Sequence, residues 1–204
     1  ASTADVRIIQ GLTTKKGNLK SAVLAADSIP GGVGLMNQAL AEIIDELLKV
    51  EKVRKAVIVL TDGGEVTQGT NTALAEFLAK TDVVVYPVIH ISNGILDILR
   101  LSNEENIFRQ LEGMNSISKK ELIKYKPFDH LHNIAAISGG KLLFAEADNF
   151  ETAFQQIADE LRKQYVIGFY VDADGSADAH NISIKVNRPD AVVRTKQSIR
   201  IMRP

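Results

Sequence analysis

A carboxylate followed by two glycines is the first place in this sequence where chemistry can be expected. Residues 56–61 are apolar up to a final threonine, and Asp62, Gly63 and Gly64 follow them directly. Such a run predicts a strand that is buried on both faces in the middle of a parallel sheet. Open α/β sheets bind ligands outside the carboxyl ends of their strands. Asp62 is therefore a candidate contact or metal ligand, although an aspartate here can also simply cap the turn.

Three histidines are further candidates for metal chemistry. His90 ends a predicted strand, whereas His130 and His132 stand at the start of a predicted helix. The latter two are two positions apart and cannot share a helix face, so surface or cap histidines are favoured over zinc. Acidic residues alternate in 172–178 as in a calcium loop, but Ser183 stands where such a loop has its bidentate Glu. This segment predicts an acidic β-turn.

The composition excludes several kinds of site. With no cysteine among 204 residues, the chain has no disulfide, no thiolate metal ligand and no cysteine nucleophile. It also contains no Gly-x-Ser-x-Gly, phosphate-loop or Gly-x-Gly-x-x-Gly pattern. Its 24 basic and 25 acidic residues are mixed along the chain, so nucleic acid is not an expected partner. No apolar run reaches the roughly 18 residues of a membrane span.

Alternating helices and strands must position these residues. The clearest helix covers 35–50, where apolar residues form one stripe. A connection at 91–127 is long for a compact domain and predicts an insertion with one or two short helices. The predicted helices are 18–27, 35–50, 71–80, Asp129 to the Gly139–Gly140 pair, and 150–163, and the predicted strands are 5–10, 55–61, 82–90 and 141–145.

The pattern changes after residue 163. Extended segments with apolar residues at period 2 predict antiparallel strands with one exposed face, and they cover 164–171, 180–186 and 192–201. The predicted fold is therefore α/β. A doubly wound, mostly parallel, Rossmann-like sheet flanked by helices is formed by 1–163, and 164–204 is an antiparallel β appendage packed on the same domain.

Four short sequence motifs follow one another along the chain. They are Gly31-Gly32 before the long helix with Ala39-Leu40, the strand end Leu60-Thr61-Asp62-Gly63, the stretch Ala135-Ala136-Ile137-Ser138-Gly139-Gly140, and Gln164-Tyr165-Val166-Ile167-Gly168-Phe169-Tyr170. Together they resemble a bacterial branch of the von Willebrand factor type A family. That branch has a Gly-Gly-Thr-Ala-Leu helix start, a Ser-Asp-Gly strand end, an Ala-x-x-Thr-Gly-Gly stretch and a terminal Gln-Tyr-x-x-Gly-Tyr strand. The resemblance covers residues 7–201.

The resemblance implies a metal-ion-dependent adhesion site, in which three loops supply oxygen ligands to Mg²⁺. Asp62 matches the aspartate of the third loop. In the second loop Val33 or Gly34 stands where the family has threonine, and the Asp-x-Ser-x-Ser loop is absent from the sequence. Because one carboxylate does not hold Mg²⁺ well, we expect a degenerate site with no cofactor. Mg²⁺ or Mn²⁺ would bind at Asp62 only if the missing ligands came from elsewhere.

The family's Asp-x-Ser-x-Ser loop ends a central strand, and this sequence is expected to begin after that strand. Strands 5–10 and 55–61 would then flank a gap with unpaired buried backbone groups, each costing on the order of 1–3 kcal/mol. Three explanations stay open. The chain is a fragment of a longer protein, a partner strand fills the gap, or the strand order differs from that of the family.

The expected function is non-catalytic protein binding of the adhesion type, through loops at the carboxyl edge of the sheet. The expected contact residues are Gly32, Val33, Gly34, Asn37, Asp62, Gly63, Gly64 and Glu65. One alternative is a small-ligand-binding or hydrolytic protein that uses the same crevice with Asp62 and His90. Another is a structural subunit that pairs through the β appendage with a second copy or a complementing chain. The resemblance favours a periplasmic or secreted location.

Overall fold

A computed structural model describes residues 6–26, 36–51, 54–61, 72–91, 128–146, 150–168, 179–196 and 198–200. Within these ranges the helices are α1 (Lys16–Ala26), α2 (Met36–Leu48), α3 (Thr72–Ala79), α4 (Asp129–Ser138) and α5 (Glu151–Arg162). The strands are β1 (Lys55–Thr61), β2 (Val83–Ile91), β3 (Leu143–Glu146), β4 (Ala179–Asn181) and β5 (Ser198–Arg200).

The described part of the chain has an α/β architecture. Strands β1, β2 and β3 form a parallel sheet in that order, and Val88 of β2 lies between Leu60 of β1 and Leu143 of β3. Strands β4 and β5 form a separate antiparallel pair, with His180 opposite Ile199. The predicted alternation of helix and strand is thus found, followed by a small antiparallel sheet.

Two apolar clusters form the core, one on each face of the parallel sheet, because successive side chains of a strand point to opposite faces. On one face α2, α3 and α4 pack against Val83 and Val85. On the other face α5 packs against Val84, Tyr86 and Val88 together with β3. Helices therefore cover both faces of β2, which explains why a strand with no alternation of polar residues is stable there.

Strand β1 does not lie in the middle of the described sheet, as its apolar run predicts, but at its edge. Ile58 is 41% exposed and Leu60 56% exposed. Both lie on the face that α5 covers further along the sheet, because Ile58 pairs with Tyr86 and Leu60 with Val88. A continuous apolar run shows that a segment is a strand, but it does not tell whether a neighbour covers its second edge.

Several predicted strands are not found where the structure describes them. Residues 6–10, 164–168, 182–186 and 192–196 have no strand conformation. Period-2 alternation predicts a strand only if a neighbour pairs with its backbone, and these segments pair with none of the described strands. The corresponding parts of the N-terminal strand and of the β appendage were therefore wrongly predicted. The antiparallel pairing itself is found, but only over the short strands β4 and β5.

Proline 87 lies inside β2, where a missing N–H would normally cost a ladder hydrogen bond. The N–H of Val85, two residues earlier and so on the same edge of β2, donates to Ser138 Oγ at 2.9 Å. On that edge β3 pairs with β2 only from Val88 onwards, at Leu143. Pro87 therefore occupies a position where its ring nitrogen is not required as a donor.

The backbone carbonyl groups at the carboxyl ends of three helices find hydrogen-bond donors in different ways. Helix α4 ends at Gly139, whose φ of 83° is the left-handed conformation expected for a glycine stop. Lys196 donates to the carbonyl oxygens of Leu78, at 2.8 Å, and of Thr81 beyond the end of α3. Arg54, just before β1, donates to Leu161 O of α5 at 2.6 Å. These contacts close the carboxyl ends of all three helices.

Candidate functional site

Only one of the predicted contact residues, Asn37, lies in the described part of the chain. The others lie outside the described residues, namely Gly32, Val33, Gly34, Asp62, Gly63, Gly64 and Glu65. The described strand end nearest to Asp62 is Thr61 of β1, which pairs with Ile89, two residues before the end of β2. The described part of the candidate site therefore consists of Asn37 and the side chains that surround it.

Asn37 lies in the first turn of α2 and is joined to the start of α4. Its Oδ1 is 2.9 Å from Nε2 of His130. Helix α4 runs antiparallel to β2, since Ser138 at its end contacts Val85 near the beginning of β2. The first turn of α4 thus points toward the carboxyl ends of the strands. Asn37 and His130 lie on that side of the sheet.

His130 is a buried base. It is only 5% exposed, and its burial lowers its pKa below the ordinary histidine value. With Oδ1 of Asn37 as acceptor, Nε2 carries the proton, which leaves Nδ1 as an acceptor. Within the described residues this buried Nδ1 has no hydrogen-bond partner. The arrangement favours a neutral imidazole at pH 7 that holds α2 against α4.

The sequence analysis predicts a surface or cap role for His130, and the burial of its ring contradicts that expectation. A signal was available in the helix itself. His130 is four residues before Ile134, which is fully buried, so both lie on one face of α4. His132 points away from that face and is exposed, as predicted.

His90 is separated from His130 by the sheet. It follows Val84, Tyr86 and Val88 on the α5 face, and its ring lies 5.3 Å from the ring of Phe150. Phe150 in turn stacks on Phe154 at 6.2 Å. Among the residues that the structure describes, no group of three or more histidine, aspartate or glutamate side chains could hold a metal ion. The degenerate metal site predicted at Asp62 lies outside them and stays a prediction.

Tyr86 takes part in a polar network on the same face as His90. Burial raises its pKa, the carboxylate of Glu160 raises it further, and Arg194 opposes the shift. The phenol therefore keeps its proton and hydrogen-bonds to Glu160, which also pairs with Arg194. This network connects Arg194, which follows β4 in the sequence, to α5 and β2. A phenol that keeps its proton is a poor nucleophile.

An open groove runs between α2 and α3, beginning at Asn37. Its volume is about 520 Å³, and its lining comprises Asn37, Gln38, Ala41, Glu42, Asp45, Ala73, Leu74 and Phe77. The floor is apolar, and the charged side chains of the lining are the acidic Glu42 and Asp45. Gln38 donates to Glu42 at 2.9 Å along the rim. A surface of this kind suits apolar side chains accompanied by positive charge.

No helix of the described residues is both long enough and apolar enough to cross a membrane. Comparison of this chain with models of known protein families, with curated proteins and with solved structures finds no match. The resemblance to the von Willebrand factor type A family therefore stays a prediction from the motifs in the sequence.

Proposed function

We propose that this protein is a non-catalytic binding module that contacts another protein through the carboxyl edge of its parallel sheet. The observation that supports this proposal most directly is the exposure of Leu60, which is 56% accessible one residue before the end of β1. Ile58 is exposed on the same face. Apolar side chains that form an exposed surface are typical of protein-binding sites.

The contact surface would include the loop residues adjoining this strand end and the neighbouring helix start at Asn37. In the family that the motifs resemble, the same edge carries the adhesion site, and that analogy is a weaker support than the exposed strand. The enzymatic alternative needs Asp62 and His90 to face one crevice. Within the described residues the ring of His90 has an aromatic neighbour, Phe150, at 5.3 Å and a tilt of 33°, and the experiments below separate binding from acid–base chemistry at this edge.

The proposal is tested by identifying a partner and then mapping its contacts. The full chain, immobilised, would capture candidates from its native source, and each candidate would be purified and titrated by calorimetry. We expect Leu60→Ala, Asp62→Ala and Glu65→Ala each to weaken binding about tenfold, equivalent to about 1.4 kcal/mol.

The matched control is Lys141→Ala, because Lys141 lies just before β3, at the opposite edge of the described sheet. The control should change the dissociation constant less than twofold. Equal losses for the control and the rim variants would contradict the proposed binding edge. Turnover of a captured small molecule that Asp62→Ala abolishes would favour the enzymatic alternative.

We further propose that the carboxyl edge acts without a tightly bound Mg²⁺. A single carboxylate leaves a cation that dehydrates reluctantly with too few protein oxygens. Calorimetric titration with MgCl₂ or MnCl₂ should give no micromolar binding, and Asp62→Ala should behave like the unaltered chain. Micromolar binding that is lost in Asp62→Ala would show that the missing ligands are supplied by other parts of the chain.

A further inference from the structure

Helix α1 carries an apolar stripe but buries none of its residues. The stripe consists of Leu19, Ala22, Val23 and Ala26, at positions i, i+3, i+4 and i+7. Leu19 is 45% exposed and Val23 is 72% exposed. A helix of 11 residues is marginal by itself in water and normally depends on packing of its apolar face. The stripe therefore has the pattern of a helix that packs against a surface.

The charges of α1 are all positive. Lys16 and Lys20 lie one turn apart, Lys15 precedes the helix, and 15–26 contains no acidic residue. Both lysines lie within one turn of the apolar stripe, at three residues from Leu19 and Val23 respectively. A surface that binds this helix should thus combine an apolar floor with acidic side chains along its rim.

The α2–α3 groove has these properties. Ala41, Ala73 and Phe77 contribute apolar surface, and Glu42 and Asp45 lie one turn apart along α2. Lys49 follows the groove, directly after the end of α2, and its Nζ forms an ion pair with Glu46 Oε1 at 2.5 Å. Helix α1 is about 16 Å long at 1.5 Å per residue, whereas α2, with 13 residues, is about 20 Å long. The lining covers 37–45 of α2, about 12 Å. The apolar stripe of α1 from Leu19 to Ala26 is about 10 Å long, so the groove is long enough for the stripe.

We propose that α1 of one copy of this chain docks in the α2–α3 groove of a second copy, and that the reciprocal contact forms a two-fold dimer. The recognition is of the helix-in-groove type, with Leu19 and Val23 on the apolar floor and Lys16 and Lys20 beside Glu42 and Asp45. Each copy offers both surfaces, so a two-fold arrangement makes each contact twice. The groove adjoins the proposed partner edge at Asn37, but this contact is formed by Glu42, Asp45 and the apolar floor, and it does not depend on that function.

A second copy is the occupant favoured by the structure for two reasons. Within one chain the groove is open while the stripe of α1 is exposed, so the helix does not fill its own groove. The charges of the two surfaces are also complementary within this one sequence, with lysines on the helix and carboxylates on the groove. No other chain is needed to supply either half of the contact.

Charge reversal tests the contact. Light scattering after size exclusion should give a dimer, and sedimentation should show dissociation as salt rises, because the charge pairs are partly exposed. Lys16→Glu with Lys20→Glu should raise the dimer dissociation constant at least tenfold, and so should Glu42→Lys with Asp45→Lys. Combining both reversals in one chain should restore dimerisation to within about threefold, since opposite charges again face each other.

The matched control reverses two exposed basic residues elsewhere, Lys185→Glu with Arg188→Glu, and should leave the dissociation constant within twofold. Circular dichroism would verify that each variant is folded. A monomer at every concentration would overturn the proposal. A dimer that is insensitive to both reversals, or losses that the combined variant does not rescue, would overturn it as well.

Engineered cysteines distinguish a second copy from closure within one chain, because the natural chain contains none. A copy with Val23→Cys mixed with a copy with Ala73→Cys should form a disulfide-linked dimer under mild oxidation. Val192→Cys, also on an exposed residue, mixed with Ala73→Cys should not. Rapid disulfide formation inside a monomer that carries both Val23→Cys and Ala73→Cys, without cross-linking between copies, would overturn the dimer.

Discussion

Strands β1 and β2 are neighbours with similar sequences and very different surroundings. Both are rich in valine and isoleucine, and both predict a strand buried on two faces. In β2, residues 83–89 are at most 6% exposed. In β1, Ile58 and Leu60 are among the exposed apolar side chains. The difference shows that the burial of a strand depends on the elements beside it as much as on its own composition.

The contrast extends beyond the two strands. Strand β2 has a neighbour on each side and helices on both faces, so its side chains belong to the two core clusters. Strand β1 has one neighbour among the described strands. Helix α1 and residues 165–167 likewise expose large apolar side chains. The described part of the chain thus combines a well-packed region around β2 with regions that expose large apolar side chains.

The largest expected difference comes from the same substitution in the two strands. Ile89→Ala in β2 removes a fully buried side chain and should lower the free energy of unfolding by about 4 kcal/mol. Ile58→Ala in β1 should cost about 1 kcal/mol, because much of that side chain is already in contact with water. Urea unfolding at low protein concentration measures both. Equal losses would mean that β1 is covered in solution.

A substitution at a close backbone contact should have the next largest effect. A Cβ at Gly140 would overlap the carbonyl oxygen of Val85, at the junction of α4 and β3 with β2. Gly140→Ala should therefore cost about 3 kcal/mol, because the backbone must shift to admit the methyl group. Gly168→Ala is the control, because Gly168 follows the exposed residues 165–167 and a Cβ there has no neighbour within 4 Å. A thermal unfolding scan that shows similar losses for both would contradict the described packing.

The cap on α3 should contribute a smaller amount. Lys196→Met keeps the apolar stem but removes the donor to the carbonyl oxygens of Leu78 and Thr81. We expect a loss of about 1 kcal/mol, since the carbonyl oxygen of Thr81 loses this donor, whereas that of Leu78 keeps the hydrogen bonds from the N–H and the hydroxyl of Thr81. Lys185→Met, on an exposed lysine, should change the free energy of unfolding by less than about 0.5 kcal/mol. Denaturant midpoints of the two variants make the comparison.

The smallest expected effect depends on pH. Because burial lowers the pKa of His130, the unfolded chain binds a proton there before the folded chain does. The resulting stabilisation is complete above the unfolded pKa of about 6.5 and decreases as the pH falls below it. His130→Gln should flatten this dependence, whereas His132→Gln, on an exposed residue, should not. Unfolding curves between pH 7 and 5 that slope equally in all three proteins would contradict the assignment.

Local signals in the sequence predicted much of the fold. The strand at 55–61 is found at Lys55–Thr61, and the helix at 35–50 is found at Met36–Leu48. The glycine stop after α4 is also found, with Gly139 in the left-handed conformation. These features were predictable because apolar periodicity and turn chemistry are contained in a few consecutive residues, whose conformational preferences do not depend on distant contacts.

The candidate site was less predictable. Of its predicted contact residues the structure describes Asn37, and the neighbour of Asn37 is a histidine 93 positions away. Periodicity placed His130 on the helix, but only the packing of α4 against α2 and the sheet made it buried. The contact residues predicted around Asp62 remain predictions, and the binding titrations of Asp62→Ala and Glu65→Ala test them directly.

The sequence by itself determined where the described helices and the strands β1, β2 and β3 form, and that the chain alternates between them. Only the tertiary structure decided that β1 lies at an edge, that residues 6–10 and 164–168 form no strand, and that Lys196 caps a helix 118 positions earlier. The physical reason is that secondary structure follows from short-range backbone and side-chain preferences. Burial, pairing and pKa instead depend on which distant segments come to lie beside a residue.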